Sequence, residues 1–455
     1  MKRQRILSQL FLGLSLILGS GKIVADPVLQ LIPNKSDAIY QISEEISWQV
    51  ELRDAKVGAY TNAAFLFKEG GGRGISQGSI SLQSNRATIH ASLCKPGTIL
   101  AEVIATNADR QIIQALAGAA IAPDQIPPST PCPEDFDVFW HRKLVELATV
   151  PENPRLMPKP SGKNNISYWE ITLDNIRGSH IHGQLARPVS GKKLPAMLIV
   201  QWAGVYPLDK TWVTDRAAEG WLVLNILAHD LPINKPKQFY EKLNEHELNN
   251  YPTIGADDRE QSYFLRMFLA CYRAVDYLSE RADWDGKTIV VTGTSQGGLQ
   301  AFVAAGLNRK VTAVLALVPA GCDNTGSLAG RKPGWPYWVA NGLDHDKQKL
   351  LDTCRYFDGV NFAARMKCPA LVGLGLIDTT ATPSGIFSAV NEMQGPKEVV
   401  VMPDSDHHGE NNTQAPFIQR EAAWRNALLE GLTVPPKSSR QKVVCRANNS
   451  SKLGE

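Results

Sequence analysis

The sequence has few cysteines, no cluster of like charges and, beyond its first 25 residues, no apolar run long enough to span a membrane. Its seven cysteines form no C-x-x-C pair, so zinc-ribbon and thioredoxin-type sites have no support. The formal net charge is +3 over 455 residues, without a basic run or a strongly acidic tail. This balance argues against nucleic acid or an anionic membrane as a partner.

The first 25 residues have the pattern of a secretory signal peptide. Three basic residues lie among the first five, an apolar stretch covers residues 10–18, and small or apolar side chains at 23–25 precede Asp26. The apolar stretch is shorter than the about 20 residues of a spanning helix. An uncleaved amphipathic N-terminus is the alternative. We expect export to the periplasm or the extracellular space, with no membrane contact after cleavage.

Export would allow the cysteines to oxidise. Because seven is an odd number, at least one thiol stays free or pairs outside the chain. Cys322 and Cys354 are a candidate bridge, although sequence alone does not fix the connectivity.

The length of the chain favours two domains. Residues 26–122 are predicted to form a small all-β, sandwich-like domain, because apolar and polar side chains alternate in segments such as 46–52. Prolines cluster between 123 and 133, and we place a proline-rich linker with a docking helix at 123–160. An α/β domain is expected at 161–432 and a polar tail at 433–455.

The α/β prediction depends on continuous apolar runs, which buried parallel strands require. Segments with a helical pattern lie between these runs, so we expect a mostly parallel, doubly wound sheet covered by helices. The runs are residues 196–200, 221–227, 288–292, 311–318, 370–374 and 398–402.

The hexapeptide Gly-Thr-Ser-Gln-Gly-Gly at 293–298 directly follows one of these runs and precedes a helical pattern. A G-x-S-x-G sequence between a strand and a helix is the nucleophile elbow of the α/β-hydrolase fold. Side chains at Gly293 or Gly297 would collide with neighbouring backbone, and the serine would sit in a strained turn. We therefore predict that Ser295 is a nucleophile; a plain turn is the alternative.

A serine hydroxyl needs a base, and in this fold the order along the chain is serine, acid, histidine. Asp378 ends a later apolar segment and is the predicted acid, with a turn or helix cap as the alternative. His407 and His408 follow the last run, and the spacing leaves the base open between them. A metal site formed by both histidines and Glu410 is a further alternative, but neighbours in one loop rarely converge on an ion.

Negative charge that develops on a substrate carbonyl needs two backbone donors. The N–H of Gln296, directly after the serine, is predicted to be one of them. The second is expected from the loop after residues 196–200, at Val205 or Tyr206. Trp202 in the same loop fits a core position as well as a pocket position.

Several of these segments resemble acetyl xylan esterases and cephalosporin C deacetylases, carbohydrate esterase family seven. The serine hexapeptide matches the family's G-x-S-Q-G-G, residues 136–140 resemble its D-F-D-x-F-W segment, and residues 375–378 resemble its acid loop. His407 is at the position where the family's H-E begins. Val205 is at the position of a family tyrosine whose backbone N–H is an oxyanion donor. The resemblance spans about residues 130–432 and implies His407 as the base and Val205 as the second donor.

Two departures and one addition distinguish the chain from that family. The family's R-G-Q should follow residues 221–227, where this chain has Ala-His-Asp-Leu, and its H-E is His-His here. The N-terminal β domain is extra. The family's ring-shaped hexamers imply a homo-oligomer, but these differences make the chain a divergent member.

Together these features predict an exported serine esterase that removes acetyl groups from an acetylated carbohydrate or another small ester, without a cofactor or a metal. A serine peptidase of the prolyl oligopeptidase type shares the fold, but its propeller would need far more than residues 26–122. A non-catalytic carbohydrate-binding protein of the same fold is the alternative outside enzymes. The presence of Ser295, Asp378 and His407 argues against it.

Overall fold

A computed structural model describes residues 26–342 and 345–434, together with the backbone of 442–445. The predicted signal peptide lies outside the described residues and stays a prediction. None of the described helices is both long and apolar enough to cross a membrane.

The N-terminal part folds as two β-sheets that share an apolar core. Their strands are β1 (Val28–Pro33), β2 (Ile39–Tyr40), β3 (Ile46–Arg53), β4 (Asn62–Glu69), β5 (Arg73–Ser81), β6 (Arg86–Ala91), β7 (Gly97–Thr106) and β8 (Ile112–Ile121). One sheet has the order β1-β3-β6 and the other β2-β8-β7-β4-β5. Trp48 of the first sheet packs on Phe67 of the second, with ring centroids 5.5 Å apart. The period-2 pattern of the sequence therefore marks the side chains that fill a sandwich core.

A helix after the proline-rich segment, α1 (Phe136–Ala148), docks on the α/β domain through an aromatic face. Phe136, Phe139 and Trp140 are fully buried. Trp140 Nε1 donates a hydrogen bond to the backbone oxygen of Tyr356 (3.0 Å). The helical spacing of these residues in the sequence thus identifies the docking face.

The α/β domain is built on a sheet that has ten strands within the described residues. They are β9 (Arg155–Lys159), β10 (Ile166–Asp174), β11 (His180–Pro188), β12 (Leu194–Val200), β13 (Leu222–Ile226), β14 (Trp284–Thr294), β15 (Ala313–Leu317), β16 (Ala370–Gly375), β17 (Lys397–Met402) and β18 (Lys442–Cys445). The order across the sheet is β18-β17-β16-β15-β14-β12-β13-β11-β10-β9. The strands β9 to β11 pair antiparallel at one edge, and the pairs from β13 to β18 are parallel. The prediction of a mostly parallel α/β sheet preceded by a β-sandwich is confirmed.

Helices follow most of the parallel strands, as the alternating pattern predicts. They are α2 (Thr211–Glu219), α3 (Lys237–Glu245), α4 (Tyr263–Glu280), α5 (Gln296–Leu307), α6 (Trp338–Asn341), α7 (Lys347–Cys354), α8 (Gly359–Ala363), α9 (Pro383–Glu392) and α10 (Ala415–Leu429). Almost every residue of α5 is buried, because this helix packs between its neighbours α4 and α8 and the strands β14 and β15.

The structure differs from the sequence predictions at two places. Cys322 and Cys354 are buried free thiols rather than a disulfide. Each Sγ faces a backbone oxygen of its own segment, Ala320 (3.9 Å) and Leu351 (3.4 Å) respectively, and burial raises the pKa of both thiols. The second difference is β18, which lies in the predicted polar tail and extends the sheet by pairing in parallel with β17.

The N-terminal sandwich contacts the loop that follows β16, where Asp378 lies. Gly118 of β8 approaches Leu376 so closely that a Cβ atom there would lie 2.5 Å from the Leu376 backbone oxygen. On the same side, Lys332 N donates to the backbone oxygen of Gly70 (3.0 Å). The extra domain therefore supports the segment that carries the predicted acid.

We predict that Gly118→Ala lowers the free energy of unfolding by about 2 kcal/mol, because the new methyl group forces a backbone shift at this contact. The measurement is chemical denaturation of the mature chain. The matched control is Gly74→Ala in β5, where a Cβ would meet only a Leu66 methyl group at 3.6 Å. Equal stability of the two variants would contradict close docking of the sandwich on this loop.

Candidate active site

Ser295 lies in the sharp turn between β14 and α5. Its backbone φ is positive (59°, with ψ −121°), which is uncommon for a residue with a side chain. A Cβ on Gly293 would lie 2.4 Å from the carbonyl carbon of Gly297, and one on Gly297 would lie 2.5 Å from the Val200 oxygen. Only glycine fits at both positions, as the motif predicts. Ser295 N donates to the Leu317 oxygen (2.9 Å), which holds the turn against β15.

His407 meets this serine from the loop after β17. Its Nε2 lies 2.9 Å from Ser295 Oγ. The loop is held by Asp406, whose Oδ1 accepts from the backbone N–H of Gly409 (2.7 Å), and by Gln414, which donates to the His407 oxygen (3.1 Å). The His407 side chain is 11% exposed and is therefore mostly shielded from solvent.

Asp378 lies behind the histidine. Its Oδ2 is 2.8 Å from His407 Nδ1, and its Oδ1 accepts from the N–H groups of Thr380 (2.7 Å) and Ala381 (2.8 Å). The carboxylate therefore serves both as a turn cap and as the partner of the imidazole, the two alternatives that the sequence left open. Since an ionised carboxylate only accepts, Nδ1 carries the proton and Nε2 is free to accept from Ser295 Oγ.

The neighbouring histidine, His408, is exposed and lies outside this arrangement. Its ring centroid is 5.4 Å from that of His407, and the two rings are nearly perpendicular. Glu410 is exposed as well. Because both nitrogens of His407 already have partners, these three residues do not form the alternative metal site.

The two backbone N–H groups that the sequence predicts as oxyanion donors are both unpaired among the described residues. The hydrogen bonds among the described residues leave Gln296 N and Val205 N without an acceptor. Gln296 begins α5, so its N–H carries the partial positive charge of a helix N-terminus. Its side chain is fully buried and donates to the Gln201 oxygen (3.3 Å) at the start of the Val205 loop. The side chain of Gln296 thus connects the two predicted donors.

His229 fixes the peptide group that contains the Val205 N–H, a role that no sequence motif indicates. Its Nε2 lies 2.9 Å from the Gly204 oxygen, and its Nδ1 lies 2.7 Å from the Tyr263 hydroxyl. A carbonyl only accepts, so Nε2 donates and Nδ1 accepts from the tyrosine. Burial lowers the pKa of His229 to about 4, which keeps the ring neutral near pH 7. Because Gly204 O and Val205 N–H share one planar peptide, holding the oxygen orients the donor.

The only sequence feature near His229 was its place in the segment where the resembled family has R-G-Q. The departure from R-G-Q indicates that this segment differs from the family, but it does not indicate a function for His229. Trp202, in the same loop as Val205, is 42% exposed and is therefore not a core residue. Its ring stacks on Tyr206 with centroids 5.2 Å apart and contacts Trp212 edge-on. Trp202 thus belongs to a partly exposed aromatic group in and after the loop that follows β12.

A mostly parallel sheet with a strained serine between a central strand and a buried helix, and with Asp378 and His407 on the loops after β16 and β17, defines an α/β-hydrolase. The family model for acetyl xylan esterase (AXE1) matches residues 125–426. The chain belongs to the acetyl xylan esterase family, and the resemblance read from the sequence is confirmed.

Similar proteins agree with this assignment. Acetyl esterase Axe7A of Xylanibacter ruminicola is 30% identical over 392 residues, which cover 84% of this chain and 87% of that protein. The structure of an acetyl xylan esterase from Paenibacillus sp. R4 is 26% identical, with a TM-score of 0.58 over 68% of this chain and 98% of that one. Acetyl xylan esterase 1 from Thermoanaerobacterium sp. JW/SL YS485 is 23% identical, with a TM-score of 0.57 over 65% and 96%, and shares the fold. Family and relatives support an acetyl esterase.

We predict that His229→Ala lowers kcat for a chromogenic acetyl ester about 10- to 100-fold and changes KM less. The loss follows because the freed peptide no longer aims the Val205 N–H at the developing charge. His229→Gln, which can still donate to the Gly204 oxygen, should recover part of kcat. Exposed His141 provides the control variant His141→Ala. An unchanged kcat in His229→Ala, or equal losses in the alanine and glutamine variants, would refute this role.

Proposed function

We propose that this protein is an exported serine esterase that removes acetyl groups from carbohydrate esters. The observation that carries the proposal is the continuous hydrogen-bonded series from Asp378 through His407 to Ser295, with steps of 2.8 and 2.9 Å. Its geometry fits a base that takes the serine proton while a carboxylate holds the imidazole in the required tautomer.

The reaction proceeds in two acyl transfers. Ser295 Oγ attacks the acetyl carbonyl carbon while His407 Nε2 takes the hydroxyl proton. The oxyanion lies between the N–H groups of Gln296 and Val205, and Asp378 stabilises the imidazolium. Collapse of the tetrahedral intermediate expels the sugar oxygen, which takes the proton from Nε2. Water, activated by the same nitrogen, then hydrolyses the acetyl-serine to acetate, and Ser295 is regenerated.

The relatives and the exposed Trp202 ring support an acetylated carbohydrate as the substrate. The similar proteins are named acetyl esterase and acetyl xylan esterase, which favours an acetylated sugar chain over other esters. The exposed Trp202 ring offers a flat apolar face of the kind on which a sugar ring can stack. We propose that the acetyl group enters between Ser295 and the Val205 loop while the sugar lies over Trp202.

We predict that Ser295→Ala lowers kcat/KM for acetate release from acetylated xylo-oligosaccharides about 10⁴-fold or more. His407→Ala should act similarly, whereas the matched variant His408→Ala should keep most of the rate, since this neighbour is exposed and lies outside the site. A fluorophosphonate probe should label the wild type and fail to label Ser295→Ala.

The outcomes also separate the rival functions. If the fluorophosphonate probe labels the wild type, and the wild type cleaves dipeptide amides but releases no acetate, the protein is a peptidase of the prolyl oligopeptidase type. Absence of labelling in the folded wild type would indicate a non-catalytic binding protein. Full activity in Ser295→Ala would exclude the proposed mechanism.

Export through the N-terminal segment is a separate part of the proposal. We predict that the full chain, made in a secretion-competent bacterium, leaves the cytoplasm and begins at Asp26, as determined by intact mass and N-terminal sequencing. Deletion of residues 2–25 should keep the protein in the cytoplasm. Recovery of the full chain with its first residues intact and in the cytoplasm would contradict export.

A further inference from the structure

Two histidines and an aspartate lie together in the antiparallel part of the large sheet, and none of the three is assigned to the proposed reaction. His180 and His182 are two residues apart on β11, so their side chains point to the same face. Asp230 follows β13, the strand that pairs with β11. The sheet pairing therefore joins residues that are about 50 positions apart in the sequence.

The three side chains have the spacing of metal ligands. One ligand atom from each lies within 4.8 Å of the other two. Asp230 Oδ1 is 3.1 Å from His182 Nε2 and 3.8 Å from His180 Nδ1. Nitrogen and oxygen ligands about 2.1 Å from a tetrahedral Zn²⁺ are about 3.4 Å apart, between these two distances.

Residues of β10 lie opposite both histidines, and one of them can orient its histidine. In the register of β10 and β11, Thr172 pairs with His182 and Asp174 pairs with His180. Thr172 Oγ1 lies 3.3 Å from His182 Nδ1, and Asp174 Oδ1 lies 3.8 Å from His180 Nε2. The Thr172 hydroxyl is thus within hydrogen-bond distance of His182 Nδ1, a contact of the kind that orients metal-bound histidines. Asp174 Oδ1 lies near His180 Nε2 without a hydrogen bond to it and accepts from Arg155 (2.7 Å).

Asp230 is also held in place independently of the imidazoles. Its Oδ2 accepts from the backbone N–H of His180 (3.0 Å), which leaves Oδ1 directed at the two rings. The side chains of His180, His182 and Asp230 are 44%, 23% and 24% exposed, so water can reach the group. A plain His182–Asp230 ion pair would not need the second histidine beside the same carboxylate oxygen.

We propose that His180 Nδ1, His182 Nε2 and Asp230 Oδ1 form a binding site for a divalent transition-metal ion, best matched by Zn²⁺, whose remaining coordination positions are filled by water. Two imidazoles and one carboxylate suit Zn²⁺ better than Ca²⁺ or Mg²⁺, which prefer oxygen ligands. The ion ties the loop after β13 to β11; none of its ligands is assigned to the acyl transfer, and Asp230 directly follows His229 in the chain.

The test is Zn²⁺ binding to the untagged mature chain after removal of metal with EDTA. Competition with a chromogenic chelator and metal analysis after gel filtration should give one Zn²⁺ per chain. Zn²⁺ should also raise the thermal midpoint by about 2 °C or more when it is in large excess over its dissociation constant. Replacing Zn²⁺ with Co²⁺ should give the visible absorption bands of a low-coordinate site.

The variants His182→Ala and Asp230→Asn should weaken binding at least tenfold, on the scale of losses at other metal sites. His180→Gln changes the most exposed ligand and keeps the test interpretable if Asp230→Asn folds poorly. The matched control is His345→Ala, which removes another surface His–Asp pair (3.1 Å to Asp257) that has no second histidine; it should bind as the wild type does. Equal Zn²⁺ binding by the wild type, His180→Gln and His182→Ala, or no binding by the wild type, would overturn the proposal.

Discussion

Close backbone packing around the turn at Ser295 is the constraint on which the active site depends. Gly297 meets the end of β12, and a Cβ on Gly298 would lie 2.7 Å from Pro319 Cα. The backbone N–H of Ser295 donates to the Leu317 oxygen, and the backbone carbonyl oxygen of Ser295 accepts from Ala320 N (3.0 Å). A residue with a side chain at positive φ costs about 1–3 kcal/mol, and contacts from two segments, the end of β12 and residues 317–320, offset that cost. The result is a hydroxyl that stands clear of the sheet, facing His407.

Beneath the turn, a buried polar network determines the direction of the backbone donors. Gln296 accepts from the Tyr251 hydroxyl and donates to the Gln201 oxygen, while Gln300 donates to the same oxygen (2.8 Å). His229 packs edge-on against Tyr251, with centroids 4.8 Å apart, and binds the Gly204 oxygen. The side chains of Tyr251, Gln296, Gln300 and His229 are all hydrogen-bonded in this network, which ties the Val205 loop to α5. This explains how a chain without the family's R-G-Q can still present two free N–H groups.

The N-terminal sandwich contributes to the same site from outside the matched family region. Its strand β8 packs against Leu376, two residues before the acid, and Lys332 links it to a second loop of the α/β domain. A small cleft between the two domains is lined by Thr98 and Leu100 on one side and by Asp378 and Thr379 on the other. The acid loop is therefore shaped by both domains, which makes the extra domain part of the framework of the site.

The local sequence pattern alone determined the α/β fold, the sandwich and the positions of Ser295 and Asp378. Strand and helix periodicity, and the need for glycine in a tight turn, can be recognised from residues that are close together in the chain. Tertiary structure decided the rest. The residue spacing left His407 and His408 equivalent, and only the turn around Asp406 directs one ring inward and the other to solvent. Likewise, the free thiols of Cys322 and Cys354, the role of His229 and the grouping of His180 with Asp230 arise from contacts between segments far apart in the chain. Such contacts depend on the register of paired strands and the path of loops, which no short stretch of sequence specifies.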